Sequence, residues 1–563
     1  MRETTTPDAA RLLVDCLKEQ GCDRIFTVPG ESFLQVLDGL EQQSEIDVVT
    51  CRQEGGVAFM ACADGALNAG GSGKPGVAFV TRGPGATNAS IGVHVAHQDS
   101  QPMILFVGDV ARDMREREGF QEVDFPAFFG PICKWAARIE SADRIPEFVA
   151  RAYSVAMSGR PGPVVLALPE DMLSDATSAA PRPEVSRPAQ APCPDAMQAM
   201  MAMIGDAASP VAIIGGAGWN AKAREHFQLF AERIGLPVAT AFRRQDAISP
   251  SSSVYAGNLG YGPNPALIER VKNADLIIAV GARLGEATTD GYTVVTPDHP
   301  GQQLIHIHPD PDELGRVYRT DLALCSDMAE FAESAALWDD SAVISFDAGS
   351  EAHAEWEAWA TATPQSSDNA YPLDLATCVT FMRDSLPADT IICNGAGNFA
   401  GWWHRYWRYA GYPSQLAPTC GAMGYGVPAA VAAALRHPER TVVAVAGDGD
   451  FMMNGQELAT AAQHGCNMMV IVVDNGAYGT IRMHQEREFP GRVSATKLSN
   501  PDFAALAASY GAWSARAETT EQFRDALGEA KGHTGLRLIH CVIDVEQLAA
   551  SGATISGLRA KEA

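Results

Sequence analysis

The chain has 563 residues, 46 % of them hydrophobic and 20 % charged, enough for three or four ordinary domains with sizeable cores and too apolar for wholesale disorder. Its 68 acidic against 42 basic residues leave a net charge of −26, which argues against nucleic acid or an anionic membrane surface as partner. Twelve cysteines are scattered without CxxC pairs, the usage of a reduced, cytoplasmic protein; MRETTTPDAARLL lacks the layout of a secretory signal, and no apolar run reaches the roughly 18 residues of a membrane span.

Short apolar runs alternate with helical patterns from the amino terminus onward. DVVTC, GVAFVT, MILFVGDV and PVVLALP read as strands of the first third. PVAIIGG, LPVATAF, DLIIAVGA and QLIHIHP follow in the middle third, then TIICNGAG, TVVAVAGDG, MMVIVVDN and LIHCVID. Nearly continuous Val/Ile/Leu runs of strand length suit parallel strands buried on both faces. The expected fold class is therefore α/β, with three doubly wound parallel-sheet domains. The Pro/Ala/Ser-rich stretch 176–194 and the stretch 346–369 read as linkers. This places domains at 1–175, 195–345 and 370–550, with a tail at 551–563.

In the last domain TVVAVA runs straight into Gly447-Asp448-Gly449, and MMVIVV ends on Asp474-Asn475. Between them FMMNGQELATAAQH reads as a helix with Met452, Leu458 and Ala462 on its inward stripe. A right-handed crossover would return the second strand to the same sheet and bring Asp448 and Asn475 to one carboxyl edge, where open α/β sheets bind ligands. Gly447 and Gly449 permit a sharp turn and close approach. A carboxylate and an amide oxygen suit a hard divalent cation that carries phosphates, with the helix start beyond Gly449 receiving the phosphate oxygens. Gly-Asp-Gly alone is equally well two strands ending in solvated turns. The 27 residues from Asp448 to Asn475, with a strand on each side, make the pattern specific.

This arrangement resembles the diphosphate-binding motif of thiamin-diphosphate-dependent enzymes. The resemblance implies thiamin diphosphate and Mg²⁺, with Asp448, Asn475 and the main-chain carbonyl of Ala477 as metal ligands. It also implies an activating carboxyl group in the first domain. Glu54 follows DVVTC and opens a helix rich in small residues, similar to the family's strand–Glu–helix signature, although taken alone it reads more readily as a helix-capping glutamate. FTVPGES (26–32), TRGPGATN (81–88), AHQDSQP (96–102) and FQEVDFPAFFGPICK (120–134) resemble segments of acetolactate synthases. So do NGAGNFAGW (394–402) and CGAMGYGVPAA (420–430). By this resemblance the cofactor would meet Pro29, Gly30, Glu54, Thr81, Gly83 and Asn88 in the first domain. In the last it would meet Gly397, Asn398, Gly421, Met423, Gly447, Gly449, Asp450, Met453, Tyr478 and Gly479. The substrate pocket would draw on His97, Gln98, Phe120, Gln121, Lys134, Trp402, Thr480 and Ile481.

The acetolactate-synthase-like branch implies decarboxylation of a 2-oxo acid and ligation of the product to an aldehyde or ketone. Glu54 would be the catalytic carboxyl group, exchanging a proton with the cofactor's pyrimidine, and Met423 would support the cofactor's fold. The active sites would lie across a homodimer or homotetramer interface. Where acetolactate synthases read RFDDR, this chain has GARLGEATTD (281–290), with Ala287 in place of the arginine that binds the acceptor's carboxylate. Arg482 either substitutes for it or is a solvated helix arginine; His97 is either a proton relay or structural. The aromatic run GWWHRYWRY either shapes the pocket or packs at an interface. A benzoylformate-decarboxylase-like or aldehyde-lyase-like activity is the alternative. A non-catalytic cofactor-binding subunit is more remote, because Glu54, Asp448 and Asn475 are all present. FAD, held in the central domain of some relatives, has only the short turn GGAG (215–218) in its favour, and AFRRQDAI (241–248) does not resemble a flavin-contacting segment, so the expectation is against it.

Overall fold

A computed structural model describes residues 8–69, 73–298, 301–338, 344–361 and 371–560. Three six-stranded sheets, parallel throughout, follow one another along the chain. The first has the spatial order Asp47–Thr50, Arg24–Thr27, Gly76–Val80, Met103–Asp109, Pro163–Pro169, Trp135–Arg138. Its three central strands, Gly76–Val80, Met103–Asp109 and Pro163–Pro169, are wholly buried, and Phe79 stacks on Phe106 at 4.7 Å within the core. The second runs Leu322–Cys325, Gln303–His308, Leu276–Val280, Pro210–Ile214, Val238–Thr240, Tyr255–Asn258. The third runs Gln415–Leu416, Ile391–Asn394, Val442–Gly447, Met468–Asp474, Leu536–Val542, Trp513–Ala517. Helices cover both faces of such sheets, which is why their strands read as unbroken apolar runs instead of alternating ones.

The chain condenses into two compact units. One comprises residues 1–188 with 431–436 and 459–464, and holds the first sheet. The other comprises 189–430, 437–458 and 465–563, and holds the second and third. Within that second unit the two sheets are joined by polar bonds. Asp246 accepts from the amides of Ser414 and Gln415 at 2.9 and 3.1 Å, and the Gln245 amide group donates to the His404 carbonyl at 2.8 Å. The aromatic run packs into the core of the third sheet, where Trp403, Tyr406, Trp407 and Tyr409 are all buried.

Two local expectations need correction. The stretch 346–369 was expected to be a linker, but Ala348–Thr361 is a helix that buries Ala352, Trp356 and Ala360 at i, i+4 spacing, with Trp356 against Tyr255 at 4.5 Å. The rest of that stretch, 362–369, lies outside the described residues. The helix after Gly-Asp-Gly is not continuous either. It runs Asp448–Asn454, tightens into a 3₁₀ turn at Gly455–Glu457 and resumes at Leu458–Gln463. The tight turn rotates the inward face, so Leu458 is buried while Met452 is 54 % exposed and Ala462 is exposed.

Residues 178–193 carry no regular secondary structure. The tail forms a helix at Ile555–Ala560, and 561–563 lie outside the described residues.

Candidate active site

In the third sheet the chain leaves Ile391–Asn394, pairs Gln415–Leu416 on one side and returns to pair Val442–Gly447 on the other. The order reverses between these strands, which opens a crevice beyond their carboxyl ends. The loop after Asn394 and the loop after Gly447 border a cavity of ≈ 220 Å³. The register Gly447↔Val473 then sets Asp448 beside the Asp474-Asn475 pair on the neighbouring strand.

Asp448 is 3 % exposed and accepts from the Asn500 side-chain amide at 2.7 Å. The same Asn500 nitrogen also donates to Asp474 at 2.7 Å, and His540 bonds the other Asp474 oxygen at 2.9 Å. Burial pushes the Asp448 carboxyl up to about 6. Burial acts on Asp474 as well, but bonds from His540, Gly476 and Asn500 outweigh it and hold that carboxyl low. The paired Asp474 is thus a structural anion, while Asp448 faces the cavity, held by Asn500, with a desolvation penalty that a cation would relieve. Asn475 Oδ1 lies across the turn, accepting from the Ala477 amide at 3.1 Å. A carboxylate, a side-chain amide oxygen and a peptide carbonyl form an all-oxygen set, the chemistry a magnesium ion takes. The residues present therefore fit a metal-bound diphosphate.

The cavity walls include Gly397, Asn398, Gly421, Met423, Gly447, Gly449, Asp450, Tyr478 and Gly479 among the predicted cofactor residues. Trp402, Thr480 and Ile481 of the predicted substrate pocket line it too. Met453 does not; it is 46 % exposed and packs beside Gly424. The two Gly-Asp-Gly glycines make room for protein rings: a Cβ on Gly449 would lie 2.5 Å from the Tyr478 ring, and one on Gly447 2.9 Å from Phe399. Phe399, Ile543 and Leu548 add apolar wall and Gln547 adds a side-chain amide; none of the four is among the predicted site residues. Ile543 lies within the run LIHCVID, just past the strand's end at Val542, and Gln547 and Leu548 follow it at the same edge, which is the signal that could have found them.

Arg482 fits neither description given to it. It is 6 % exposed, absent from the cavity walls, and paired with the fully buried Glu486 at 2.5 Å. Arg559, on the tail helix, closes on the other Glu486 oxygen at 2.7 Å, and the Gly491 amide adds a bond at 3.0 Å. These partners, Arg559 foremost, hold the Glu486 carboxyl near 2 against a usual value of 4.5. A depressed carboxyl contributes stability that is complete above its unfolded pKa and is lost as pH falls through the folded one. Wild type should therefore lose stability relative to Glu486→Gln between about pH 4.5 and 2, read as the difference in urea midpoints. At neutral pH, Glu486→Ala should cost about 2–3 kcal/mol, because Arg482 is left buried without its partner.

In the other unit, Glu54 is the first residue of the helix Glu54–Ala69 and is half-buried. Its Oε2 accepts from the Asn88 side chain at 2.9 Å, and a Cβ on Gly85 would lie 3.3 Å from its Oε1. Gly30 adjoins Thr81 so closely that a Cβ would fall 2.4 Å from the Thr81 Cβ, and Pro29 is exposed on the same loop. The Gly83 amide donates to the Gln121 carbonyl at 3.1 Å, and Gln121 takes a left-handed φ of 64°. Strands Arg24–Thr27, Asp47–Thr50 and Gly76–Val80 all end at this edge, which is what assembles Gly30, Glu54 and Thr81.

The structure does not bring His97, Gln98 and Lys134 there. His97 and Gln98 end the helix Gly83–Asp99, about 20 Å along its axis from Gly83. Lys134 precedes the first residue of Trp135–Arg138, at the sheet's amino edge, and donates to the Ser158 carbonyl at 2.6 Å. Phe120 is 74 % exposed.

Three family models match the chain in order. The N-terminal TPP binding domain of thiamine pyrophosphate enzymes matches residues 7–128, their central domain 197–334, and their C-terminal TPP binding domain 395–541. The chain is 30 % identical over 538 residues to the acetolactate synthase large subunit of Corynebacterium glutamicum, covering 93 % of this chain and 84 % of the relative. It is 30 % identical over 540 residues to the acetolactate synthase isozyme 2 large subunit of Escherichia coli K12, covering 95 % and 96 %. With the acetolactate synthase of Bacillus subtilis it shares 28 % over 551 residues, covering 95 % and 93 %. With three domains matched in order and relatives 30 % identical over most of both chains, this chain belongs to the acetolactate-synthase-like family of thiamine-pyrophosphate-dependent enzymes.

Proposed function

We propose that this enzyme, with thiamin diphosphate and Mg²⁺, decarboxylates a 2-oxo acid and ligates the remaining fragment to an aldehyde or ketone. The observation that supports this most directly is the switch-point cavity with Asp448, Asn475 and Ala477 on its wall. Bound thiamin diphosphate supplies a nucleophilic carbon and an electron sink for decarboxylation. Asp448, Asn475 and the Ala477 carbonyl would hold the metal. Glu54 would hold and return the proton at the pyrimidine N1′. Met423, half-buried on the wall, would support the fold between the cofactor's rings. Phe399, Trp402, Ile481 and Ile543 would keep water from the reacting carbon.

The acceptor is where this chain parts from acetolactate formation. Ala287 stands in the arginine's place, Arg482 is committed to Glu486, and no Arg, Lys or His from this unit lines the cavity among the described residues. A carboxylate acceptor would lose its bidentate partner. An uncharged aldehyde or ketone acceptor suits these walls better, and simple decarboxylation, as in benzoylformate-decarboxylase-like enzymes, is the second possibility for the same reason.

We propose no flavin. The Gly215 amide is spent on the Val280 carbonyl and the Gly281 amide on the Ile307 carbonyl. Asn220 caps the following helix with its own side chain, and buried Trp219 fills the turn, donating to the Gly215 carbonyl at 2.8 Å. A glycine turn with these groups occupied is a poor phosphate cradle. We further propose a homodimer or homotetramer, joining the Glu54 loop of one protomer to the diphosphate-binding half of another; exposed Met452 and Met453 beside Asp448 support an apolar contact there. No helix among the described residues is long and apolar enough to cross a membrane. Nine of the twelve cysteines are buried, which supports a reducing, cytoplasmic setting.

Incubation with a panel of 2-oxo acids and aldehydes, plus thiamin diphosphate and Mg²⁺, tests the activity. Carbon dioxide release with a ligated product is expected. Release without ligation would favour the decarboxylase, and neither, despite bound cofactor, would overturn both.

A further inference from the structure

Asp450 lies two residues beyond the proposed metal ligand and is 3 % exposed. Its Oδ1 accepts two backbone bonds, from Ala396 at 3.1 Å and from Gly424 at 2.8 Å. These amides belong to the two loops on either side of the switch-point cavity, one leading to Gly397 and Asn398, the other carrying Met423. Gly424 is held on its carbonyl as well, by the Asn454 side chain at 3.2 Å, and has a left-handed φ of 82°. Asp450 and Asn454 sit on the one short helix Asp448–Asn454. Gly395 yields its side chain to this contact: a Cβ there would fall 2.1 Å from Asp450 Oδ1.

We infer that Asp450 is a positioning residue, which locks the Met423 and Gly397 loops to the helix that starts at Asp448, so that the support for the cofactor's fold is set by the same element that holds its metal. This rests on the thiamin diphosphate reading above. The task falls to a single acceptor oxygen rather than to charge, because both bonds go to Oδ1, while Oδ2 is buried without a hydrogen-bond partner among the described atoms. A side chain that keeps an oxygen there should keep the lock, and one that removes it should free both loops.

Amide hydrogen exchange on the cofactor-free protein reads the lock directly. Asp450→Ala should raise exchange at Ala396 and Gly424, and Asp450→Asn should restore most of the protection. Thiamin diphosphate affinity in the presence of Mg²⁺, followed by tryptophan quenching, should fall by about 10- to 100-fold in Asp450→Ala and recover in Asp450→Asn. Asp450→Ala combined with Met423→Ala should weaken binding no further than the worse single variant, because the one acts through the other. Unchanged protection at Ala396 and Gly424, an asparagine variant as impaired as the alanine, or additive losses in the double variant would each overturn the assignment. Failure of the wild-type protein to bind thiamin diphosphate would instead overturn the functional reading, and the exchange measurement would still decide the lock.

Discussion

Replacing Glu54 by glutamine is expected to cut carbon dioxide release from the 2-oxo acid by about 10²- to 10⁴-fold, the range for a positioned proton-transfer group. The substitution is nearly isosteric. Its amide oxygen can still accept from Asn88, which bonds Glu54 Oε2 at 2.9 Å, so the start of the helix Glu54–Ala69 should keep its shape. Glu54 is half-buried rather than part of the core, and the change in stability should stay within about 0.5 kcal/mol. What disappears is the carboxyl group proposed to exchange a proton with the cofactor. Cofactor binding, proposed to depend on the Asp448 half, should persist, so the variant should bind thiamin diphosphate and fail to turn over. Wild-type turnover in Glu54→Gln would remove this residue from the chemistry.

Replacing Asp448 by alanine should act on the opposite quantity. Without cofactor, the carboxylate stands at 3 % exposure with one hydrogen bond from Asn500 and Asp474 close by, so its removal relieves desolvation and like-charge repulsion. The cofactor-free variant should melt no earlier than wild type, since Asn500 keeps its bond to Asp474. With thiamin diphosphate and Mg²⁺ at about 100 times the dissociation constant, wild type should gain about 2.7 kcal/mol by mass action, and the variant should gain nothing measurable. Melting curves with and without the pair of ligands decide it. An equal upward shift in Asp448→Ala would show that the metal is held elsewhere.

The features that were legible in the residues share one property: they depend on local spacing. Continuous runs such as MILFVGD and MMVIVVD, every residue of which is buried, are the strands of the sheets. The step from Gly447 to Asp448 and from Asp474 to Asn475 needed only the rule that a right-handed crossover returns to the same edge, and the register Gly447↔Val473 supplies it. The helix Ala348–Thr361 was equally readable in its Ala352, Trp356, Ala360 stripe, but Gly, Ser and polar neighbours masked it as a connector.

The misplacements arise where a side chain's surroundings come from distant sequence. Met452 is on the exposed side because the helix tightens at Gly455–Glu457, a turn that periodicity does not register. Arg482 is fixed by Glu486 and by Arg559, 77 positions later in the chain, so its own helix says nothing about its role. His97 and Lys134 resemble pocket residues in their segments, yet they lie toward the amino edge of their sheet, away from Glu54, because a long helix separates its two ends by its full length.

By itself, then, the order of residues determined the three parallel sheets, the edge at which each candidate loop emerges, and the chemical types offered there: a glutamate carboxyl at the edge of the first sheet and an aspartate carboxyl at the edge of the third. The tertiary structure alone decided which neighbours those groups have. Asn500 and His540 divide the two acidic residues at the third sheet's edge into a paired anion and an underpartnered one, and Asp450 ties two loops that are 28 residues apart. The physical reason is that strand and helix periods are short-range and written in composition, whereas the electrostatic and hydrogen-bonding environment of a buried group is the sum of atoms that only the folded chain brings within a few ångströms.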